Sequence, residues 1–281
     1  MANGKQQKRL AQQKERIEQF KRAQRYLGLR PENPGVPPPV DCSNPLSLPF
    51  HQSVVFVSID VEAYEKDHSK ILEIGVAILD TRSLLDTPPG VDGENWRSKI
   101  QARHFLIKEN QHLRNYEFVR GCPDRFEFGT STTIPLEVAA AAVEGCFLPP
   151  FGGSMELNDG IELEQRKVVL VGHDTQTDME YLKKIGFDAL RQDSVVDCLD
   201  SALLYRTWRQ DPQITSLGKV LADFDIVGWN LHNAGNDAVY TMQAMLAVCV
   251  RESTIRAAAQ TEVTLEPKAA EEAEEEEEVW P

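Results

Sequence analysis

The stretch that decides the fold reads Val54-Val55-Phe56-Val57-Ser58-Ile59-Asp60-Val61-Glu62. Its apolar, β-branched beginning predicts a strand that is buried on both faces. Residues two apart in a strand point to the same face, so Asp60 and Glu62 present their carboxylates side by side at its end. Two such anions repel, and a divalent cation between them is the simplest remedy. The alternative interpretation is a solvated strand end that leads into a polar loop.

A second acid follows another apolar run, Val168-Val169-Leu170-Val171. This run predicts a strand, and Gly172 allows the chain to leave it by a tight turn. Asp174 or Thr175 would cap the next helix, which places Asp178 in its first turn. There, Asp178 either joins the first two acids or merely complements the positive end of the helix dipole.

The third element combines a histidine with an acid in the string Leu231-His232-Asn233-Ala234-Gly235-Asn236-Asp237-Ala238. Gly235 and Asn236 indicate a loop, and apolar residues then recur at helical spacing. We therefore expect His232 in the loop and Asp237 at the start of a helix, where both can reach one site. A surface histidine near a helix-start acid is the alternative.

The order and spacing of these elements resemble the DEDDh branch of the DnaQ-like 3′→5′ exonuclease superfamily. In that branch an Asp-x-Glu strand end, a helix Asp and a His-x4-Asp element form one site. The matching residues here are Asp60, Glu62, Asp178, His232 and Asp237. The resemblance covers residues 50–255. The motifs Gly172-His173-Asp174 and His232-Asn233-Ala234-Gly235-Asn236-Asp237 are similar to a fungal branch of exonuclease-like domains linked to messenger-RNA export.

This resemblance implies a ribonuclease H-like α/β fold and a two-ion mechanism of phosphodiester hydrolysis with Mg²⁺ or Mn²⁺. Asp60 would bridge the two ions, and Glu62 and Asp237 would complete the first ion site. Asp178 would hold the second ion, through water. His232 would be the general base, since an imidazole with an ordinary pKa of about 6.5 accepts a proton at neutral pH.

Three further features bear on the substrate. Tyr64, just past the Asp-Val-Glu element, is our candidate for contact with the terminal base. Many relatives carry Asn at the position of Asp174, so this residue either makes the site more acidic or caps a helix, and it is left out of the ion site. The segment 111–130 exceeds what a minimal exonuclease requires. Within it, Arg125 and Phe126 either grip a nucleotide by charge and stacking or belong to ordinary loop packing.

The predicted elements give three leading strands followed by alternating strands and helices, which fits a mixed sheet with helices on both faces. The strands are expected at 54–60, 71–79, 102–107, 167–171 and 194–197. The helices are expected at 135–146, 175–185, 198–207, 215–223 and 236–250. Because such a fold hosts many activities, the functional prediction rests on the five site residues.

The two ends of the chain differ from its body in composition. Residues 1–30 hold nine Lys or Arg and two Glu, which predicts an exposed basic helix. Residues 31–49 are rich in proline and predict a stiff linker, 50–255 form the exonuclease-like domain, and 256–281 form an acidic, disordered tail. The basic helix would bind nucleic-acid backbone, act as a nuclear-import signal or fold back on the acidic tail. Both ends of the chain are also candidate contacts for protein partners.

Composition sets outer limits on the class of protein. A chain of 281 residues has room for one sizeable α/β domain with extensions. Its net charge of −14 argues against an enzyme that wraps long nucleic acid and favours one that grips a short single-stranded 3′ end. No apolar stretch approaches the roughly 18 residues of a membrane span, so we expect no membrane contact. Five dispersed cysteines indicate reduced thiols in the cytoplasm or nucleus.

Two hypotheses of different classes remain. The first is a metal-dependent 3′→5′ exonuclease acting on single-stranded nucleic acid, with RNA mildly preferred over DNA. The second is a catalytically weak scaffold in an RNA-handling or messenger-RNA export assembly. Four carboxylates and a histidine at one point favour the enzyme, because a scaffold has little physical reason to concentrate these charges.

Overall fold

The computed structural model describes residues 2–33, 38, 40–151 and 165–277, with side chains for positions 4–256 of these. The strands are β1 Val55–Tyr64, β2 Asp67–Asp80, β3 Gln101–Ile107, β4 Thr132–Ile134, β5 Val168–Gly172 and β6 Val195–Asp200. The α-helices are α1 Ala2–Tyr26, α2 Glu94–Arg97, α3 Leu136–Gly145, α4 Gln176–Lys184, α5 Ser201–Arg209, α6 Leu217–Asp223 and α7 Ala234–Glu277. Short 3-10 helices cover His51–Ser53, Thr81–Leu84, Val91–Gly93, Lys108–Asn110 and Ala189–Arg191.

The strands of the described residues form one mixed sheet in the order β4-β3-β2-β1-β5-β6. β1, β2 and β3 form an antiparallel meander. β5 and β6 extend the sheet in parallel beyond β1, and β4 pairs in parallel with β3. Helices cover both faces, with α3 and α4 on one and α5, α6 and α7 on the other. This arrangement confirms the predicted ribonuclease H-like α/β fold.

Side chains alternate along β1, so they point into two different hydrophobic cores on the two faces of the sheet. On one face, four aliphatic residues pack with α3 and α4, namely Val55, Val57, Ile59 and Val61. Phe56 points to the opposite face, into the core that contains α7. Asp60 and Glu62 follow Phe56 at even spacing, so they lie on the α7 face of the sheet.

β1 is longer than the sequence predicts. The expected strand ended at residue 60, but pairing with β2 continues as far as Tyr64 opposite Asp67. Parallel pairing with β5 stops earlier, at Ser58 opposite Val171. The two acids of β1 therefore lie within a strand rather than at its end, in the part of β1 that extends past its parallel neighbour.

The first residue of α7 rests directly on β2 at Gly75, which lies opposite Asp60 in the sheet. A Cβ atom built on Gly75 would lie 1.8 Å from the carbonyl oxygen of Ala234. No residue with a side chain could occupy this position without moving the helix. Further along β2, Ala77 packs against Ala238 and Val239 of α7. Small residues on β2 thus bring the start of α7 next to Asp60.

The helix α1 is exposed at its beginning, but its last turns belong to the core. Phe20 and Tyr26 of these turns are buried, as are Leu27 and Leu29 just beyond the end of the helix. Arg22 forms an ion pair with Asp197 of β6 at 2.7 Å. The exposure predicted for the whole basic helix is therefore wrong at this end, because the few apolar residues of the segment cluster near its last turn and reach the core.

The backbone of α7 is helical from Ala234 to Glu277, well beyond the predicted span 236–250. Its later part is rich in Ala and Glu, which are strong helix formers. Side chains after residue 256 lie outside the described residues, so the acidic tail and the division of the chain into four segments stay predictions. The sequence does not predict β4 or α2. No helix in the described ranges is long and apolar enough to cross a membrane.

We expect Gly75→Ala to lower the free energy of unfolding by about 3 kcal/mol or more, since it forces a methyl group against helix backbone. Gly145→Ala is the matched control, because a Cβ at Gly145 would meet nothing within 4 Å. At that helical position alanine should be neutral or stabilising by up to about 1 kcal/mol. Urea unfolding of both variants checks this prediction, and equal stabilities would contradict the proposed contact.

Candidate active site

Side chains from β1 and from the start of α7 converge on one point. Oxygen or nitrogen atoms of Glu62, His232 and Asp237 lie within 4.8 Å of one another. Asp60 shares their electrostatic environment, since Asp178, Asp237 and Glu62 all disfavour its ionised form. The structure therefore brings together all five residues singled out in the sequence, while their roles stay predictions.

Asp178 reaches the cluster from the first turn of α4. Its Oδ1 accepts a hydrogen bond from the amide of Val61 at 3.0 Å. Because β5 no longer pairs with β1 at this point, the carboxylate takes the place of a strand partner. Thr175 stands at the N-cap position, as predicted, but its side chain makes no capping bond. Asp174 is exposed, with a φ of 62°.

The loop before α7 holds His232 and Asp237 in a fixed relation. The amide of His232 donates to Oδ2 of Asp237 at 2.8 Å, with His232 in the left-handed region at a φ of 66°. The side chain of Asn233 accepts the amide of Asn236 at 3.1 Å, which is a helix-capping bond. The helix therefore starts at Ala234. Gly235 and Asn236, predicted as a loop, belong to its first turn.

Burial raises the pKa of all four carboxyl groups in the cluster. For Asp60, burial and repulsion from Asp178 raise the pKa well above its ordinary value. Burial and the neighbouring Glu73 raise the pKa of Glu62 to about 8. Burial also raises the pKa values of Asp178 and Asp237 to about 7. Among the described residues, no basic side chain is one of the main influences on these four pKa values.

The residues present fit a divalent cation. Oδ1 of Asp237 is buried and has no hydrogen-bond partner among the described residues, which leaves an acceptor for a metal ion. Carboxylate oxygens suit Mg²⁺ and Mn²⁺. The nearby nitrogen of His232, taken with two carboxylates, would also suit Zn²⁺. A cation at this point would keep the carboxylates ionised at neutral pH.

His232 lies at the mouth of the cluster and is exposed as a residue. Partial desolvation lowers the pKa of its imidazole. The ring is therefore neutral at pH 7 and can accept a proton. This is the protonation state that a general base requires.

A buried pair, Glu73 and His104, supports the cluster and is missed by sequence reasoning. Nε2 of His104 lies 2.9 Å from Oε2 of Glu73. The same oxygen accepts the amide of Ala234 at 3.3 Å, so Glu73 ties the start of α7 to β2. Glu73 also lies opposite Glu62 in the sheet. In the sequence, Glu73 is noticeable only as a charged residue within an otherwise apolar run.

A groove of about 250 Å³ opens beside Glu62. Four of its lining residues are apolar, namely Leu72, Leu106, Leu113 and Pro123. Asn110, Arg114 and Asn115 add polar groups to the lining. Glu62, Glu73, Gln111 and Asp124 also line the groove, so most of its lining residues are polar. Such a mixed lining suits a ligand that combines an apolar part with hydrogen-bonding groups.

The remaining sequence candidates are Tyr64, Phe126 and Arg125. Tyr64 is half-buried at the end of β1, past an irregularity in the pairing at Ala63, and its contact with substrate stays a prediction. Phe126 packs against His104 with ring centroids 5.2 Å apart, which fits the loop-packing alternative. Arg125 is exposed.

Residues 55–248 match the DEDDh_C family model, described as DNA polymerase III subunit epsilon-like, C-terminal domain. Uncharacterized protein YDR514C of Saccharomyces cerevisiae is 31% identical over 215 residues, which are 71% of this chain and 41% of that protein. Good for full DBP5 activity protein 2 of the same yeast is 27% identical over 227 residues, 73% of this chain and 37% of that protein. The chain thus spans about two fifths of the length of these relatives.

A solved structure of exonuclease I is 12% identical to this chain, with a TM-score of 0.44. The match covers 73% of this chain and 42% of that chain.

The raised pKa values predict that the metal-free protein loses stability as pH rises. Unfolded Asp and Glu have a pKa of about 4, whereas Asp178 and Asp237 titrate at about 7 and Glu62 at about 8 in the folded protein. Their protonation therefore contributes stability that is fully present below pH about 4 and is lost as pH rises through about 7 to 8.

In EDTA, the melting temperature of the parent should fall between pH 5.5 and 8.5 by about 5 °C more than that of Asp60→Asn. Mg²⁺ or Mn²⁺ at pH 8.5 should raise the melting temperature of the parent and have less effect on the variant. Glu144→Gln, an exposed change on α3, serves as the control and should follow the parent. An identical pH dependence of parent and Asp60→Asn would contradict this prediction.

Proposed function

Because this chain belongs to the DEDDh family of DNA polymerase III subunit epsilon-like proteins, we propose that it is a 3′→5′ exonuclease of single-stranded nucleic acid. The observation that carries the proposal is the convergence of four carboxyl groups whose ionisation burial disfavours, with an exposed histidine beside them. This set of groups has the chemistry of metal-dependent phosphodiester hydrolysis.

Two divalent ions, Mg²⁺ or Mn²⁺, are the proposed cofactors. Such ions would stabilise the charge that develops on the attacking and leaving oxygens. Asp60, Glu62, Asp178 and Asp237 would hold them. The capped start of α7 keeps Asp237 in place, and the amide of Val61 orients Asp178.

His232 is the proposed general base. Its imidazole is neutral at pH 7 and lies within 4.8 Å of the ligand atoms of Glu62 and Asp237. It would take the proton of the attacking water, a role that contributes about 10²- to 10⁴-fold to the rate. The neighbouring carboxylates would stabilise the imidazolium that forms.

The groove beside Glu62 is the proposed site of the terminal nucleoside, with Tyr64 as a stacking contact for its base. We propose RNA as the mildly preferred polymer, with single-stranded DNA also accepted. The five cysteines, all within the described residues, are free thiols. They agree with a proposed location in the nucleus or cytoplasm.

A second candidate function is favoured by one comparison. A relative bears the name Good for full DBP5 activity protein 2, which ties that protein to the activity of another. This chain would then be a catalytically weak scaffold in an RNA-handling or messenger-RNA export assembly. The exposed first part of α1, rich in Lys and Arg, would be a contact for a partner.

Digestion of 5′-labelled single-stranded RNA and DNA oligonucleotides tests the exonuclease proposal. With Mg²⁺ or Mn²⁺, the parent should produce a ladder that shortens from the 3′ end, and EDTA should abolish it. His232→Ala should reduce the rate at least about 100-fold, the lower range of general-base contributions. Asp60→Asn should abolish cleavage, while Glu144→Gln should cleave like the parent.

The same assay decides between the two candidates. A folded parent that shortens no substrate with either ion would favour the scaffold. Cleavage by Asp60→Asn at the rate of the parent would refute the assigned centre. Comparison of the RNA and DNA ladders measures the proposed polymer preference directly.

A further inference from the structure

Two large aromatic side chains, Tyr116 and Phe118, are exposed to solvent. They lie between the groove-lining residues 113–115 and 121 in the sequence. Phe118 is 81% exposed and Tyr116 is 67% exposed. They lie two residues apart, so one short piece of backbone presents both rings. Single exposed apolar residues are common on protein surfaces, whereas a paired aromatic surface beside a concave site indicates binding.

The backbone beneath these rings is held firmly although the rings are free. The carboxylate of Glu65 accepts the amides of Tyr116 and Glu117 at 2.9 and 3.0 Å, and the amide of Phe118 at 3.0 Å. Asn115 accepts the amide of Glu65 at 2.9 Å and donates to the carbonyl of Ala63 at 2.8 Å. The backbone that carries the rings is thus preorganised at the tip of the β1–β2 hairpin, which reduces the entropy lost when a ligand binds.

The same segment is connected to the carboxylate centre on both sides. Ala63, which anchors Asn115, directly follows Glu62 in β1. Further along the segment, the amide of Cys122 donates to the carbonyl of His232 at 3.2 Å. The segment that carries the exposed rings is therefore tied both to the strand of Glu62 and to the loop of His232.

Two arginines of this segment are available to contact a polyanion. Arg120 and Arg125 are exposed, and within the described parts of the chain neither forms an ion pair. The negative charge of Glu117, which lies between the two aromatics, is balanced by its ion pair with Lys66. Aromatic rings interleaved with arginine are the chemistry that binds unpaired bases and their phosphates.

We propose that Tyr116 and Phe118 form a stacking platform for bases of single-stranded nucleic acid, upstream of the terminal nucleotide. Arg120 contacts the phosphate backbone beside them. The direction of the strand rests on the proposed function, since the 3′ end would occupy the carboxylate centre. The platform makes the protein favour substrates long enough to reach from the centre to the rings.

Binding of fluorescein-labelled U12 and dT12 to the full chain in EDTA tests this platform without cleavage. Tyr116→Ala and Phe118→Ala should each weaken binding at least about fivefold, and the double variant about 30-fold, as expected for the loss of base stacking. Phe118→Trp should bind like the parent. Leu85→Ala, an exposed apolar truncation near the other end of β2, is the matched control.

A small substrate that does not reach the rings tests the catalytic centre separately from the platform. Hydrolysis of thymidine 5′-monophosphate p-nitrophenyl ester with Mn²⁺ should be unchanged in the double variant, whereas KM for U12 should rise. Arg120→Glu should weaken U12 binding and reduce its dependence on salt, since one phosphate contact is lost.

The outcomes distinguish the two proposals. Parental affinity for U12 and dT12 in the folded double variant overturns the platform, even where the small ester is hydrolysed. Loss of a protein partner from the double variant, with oligonucleotide affinity unchanged, assigns the surface to protein and also overturns the platform. A parent that binds U12 through the rings but hydrolyses neither substrate supports the platform and refutes the exonuclease.

Discussion

The contact between β2 and the first residue of α7 determines where the site forms. Gly75 lacks a side chain, so the carbonyl of Ala234 can approach its Cα closely. The amide of the same residue donates to Glu73, which is itself paired with His104. The helix start is therefore fixed on β2 by backbone contact and by a buried hydrogen-bonded pair of side chains. His232 and Asp237 reach Glu62 only because the helix starts at this place.

Two electrostatic effects of different size act on the site in opposite directions. Asp178 and Asp237 lie in the first turns of α4 and α7, where the helix dipole stabilises an anion by about 0.3–1 kcal/mol. Raising the pKa of Asp237 from 3.8 to about 7 corresponds to a penalty on the order of 4 kcal/mol for the charged form. Burial therefore outweighs the dipole, and the cluster is balanced only by protons or by a cation. This penalty on the charged forms arises at the point where the fold brings its proposed catalytic groups together.

Local patterns predict much of this architecture. Apolar runs identify five of the strands. The signal is continuous in β5 and in the first part of β1, because these are buried on both faces. Order and spacing identify Asp60, Glu62, Asp178, His232 and Asp237, since each belongs to a recognisable local element. The limits of β1 were harder to predict, because its last residues pair only with β2 and carry charged side chains.

Features that depend on distant partners could not be predicted from local patterns. Glu73 meets His104 on the neighbouring strand, and only the register of that pairing brings the two side chains together. The burial of Leu27 and Leu29 likewise depends on a core made by remote segments. Charge and propensity describe the exposed part of α1 well and give no information about the surface that its last turns meet.

The long segment between β3 and β4 behaves as a wall of the site rather than as a free loop. Asn115 ties its middle to Ala63 and Glu65 on the hairpin. Beyond it, Asn233 donates to the carbonyl of Cys122 at 3.1 Å, and Asn236 donates to the carbonyl of Arg125 at 2.8 Å.

Buried amide side chains thus satisfy backbone groups at two places along this segment, where an unpaired group would cost about 1–3 kcal/mol. One set of these bonds ends on the strand that carries Glu62, and the other ends on the helix start that carries Asp237. The segment therefore links the two halves of the carboxylate cluster across the groove. Its extra length contributes to the geometry of the site, although it supplies none of the acids.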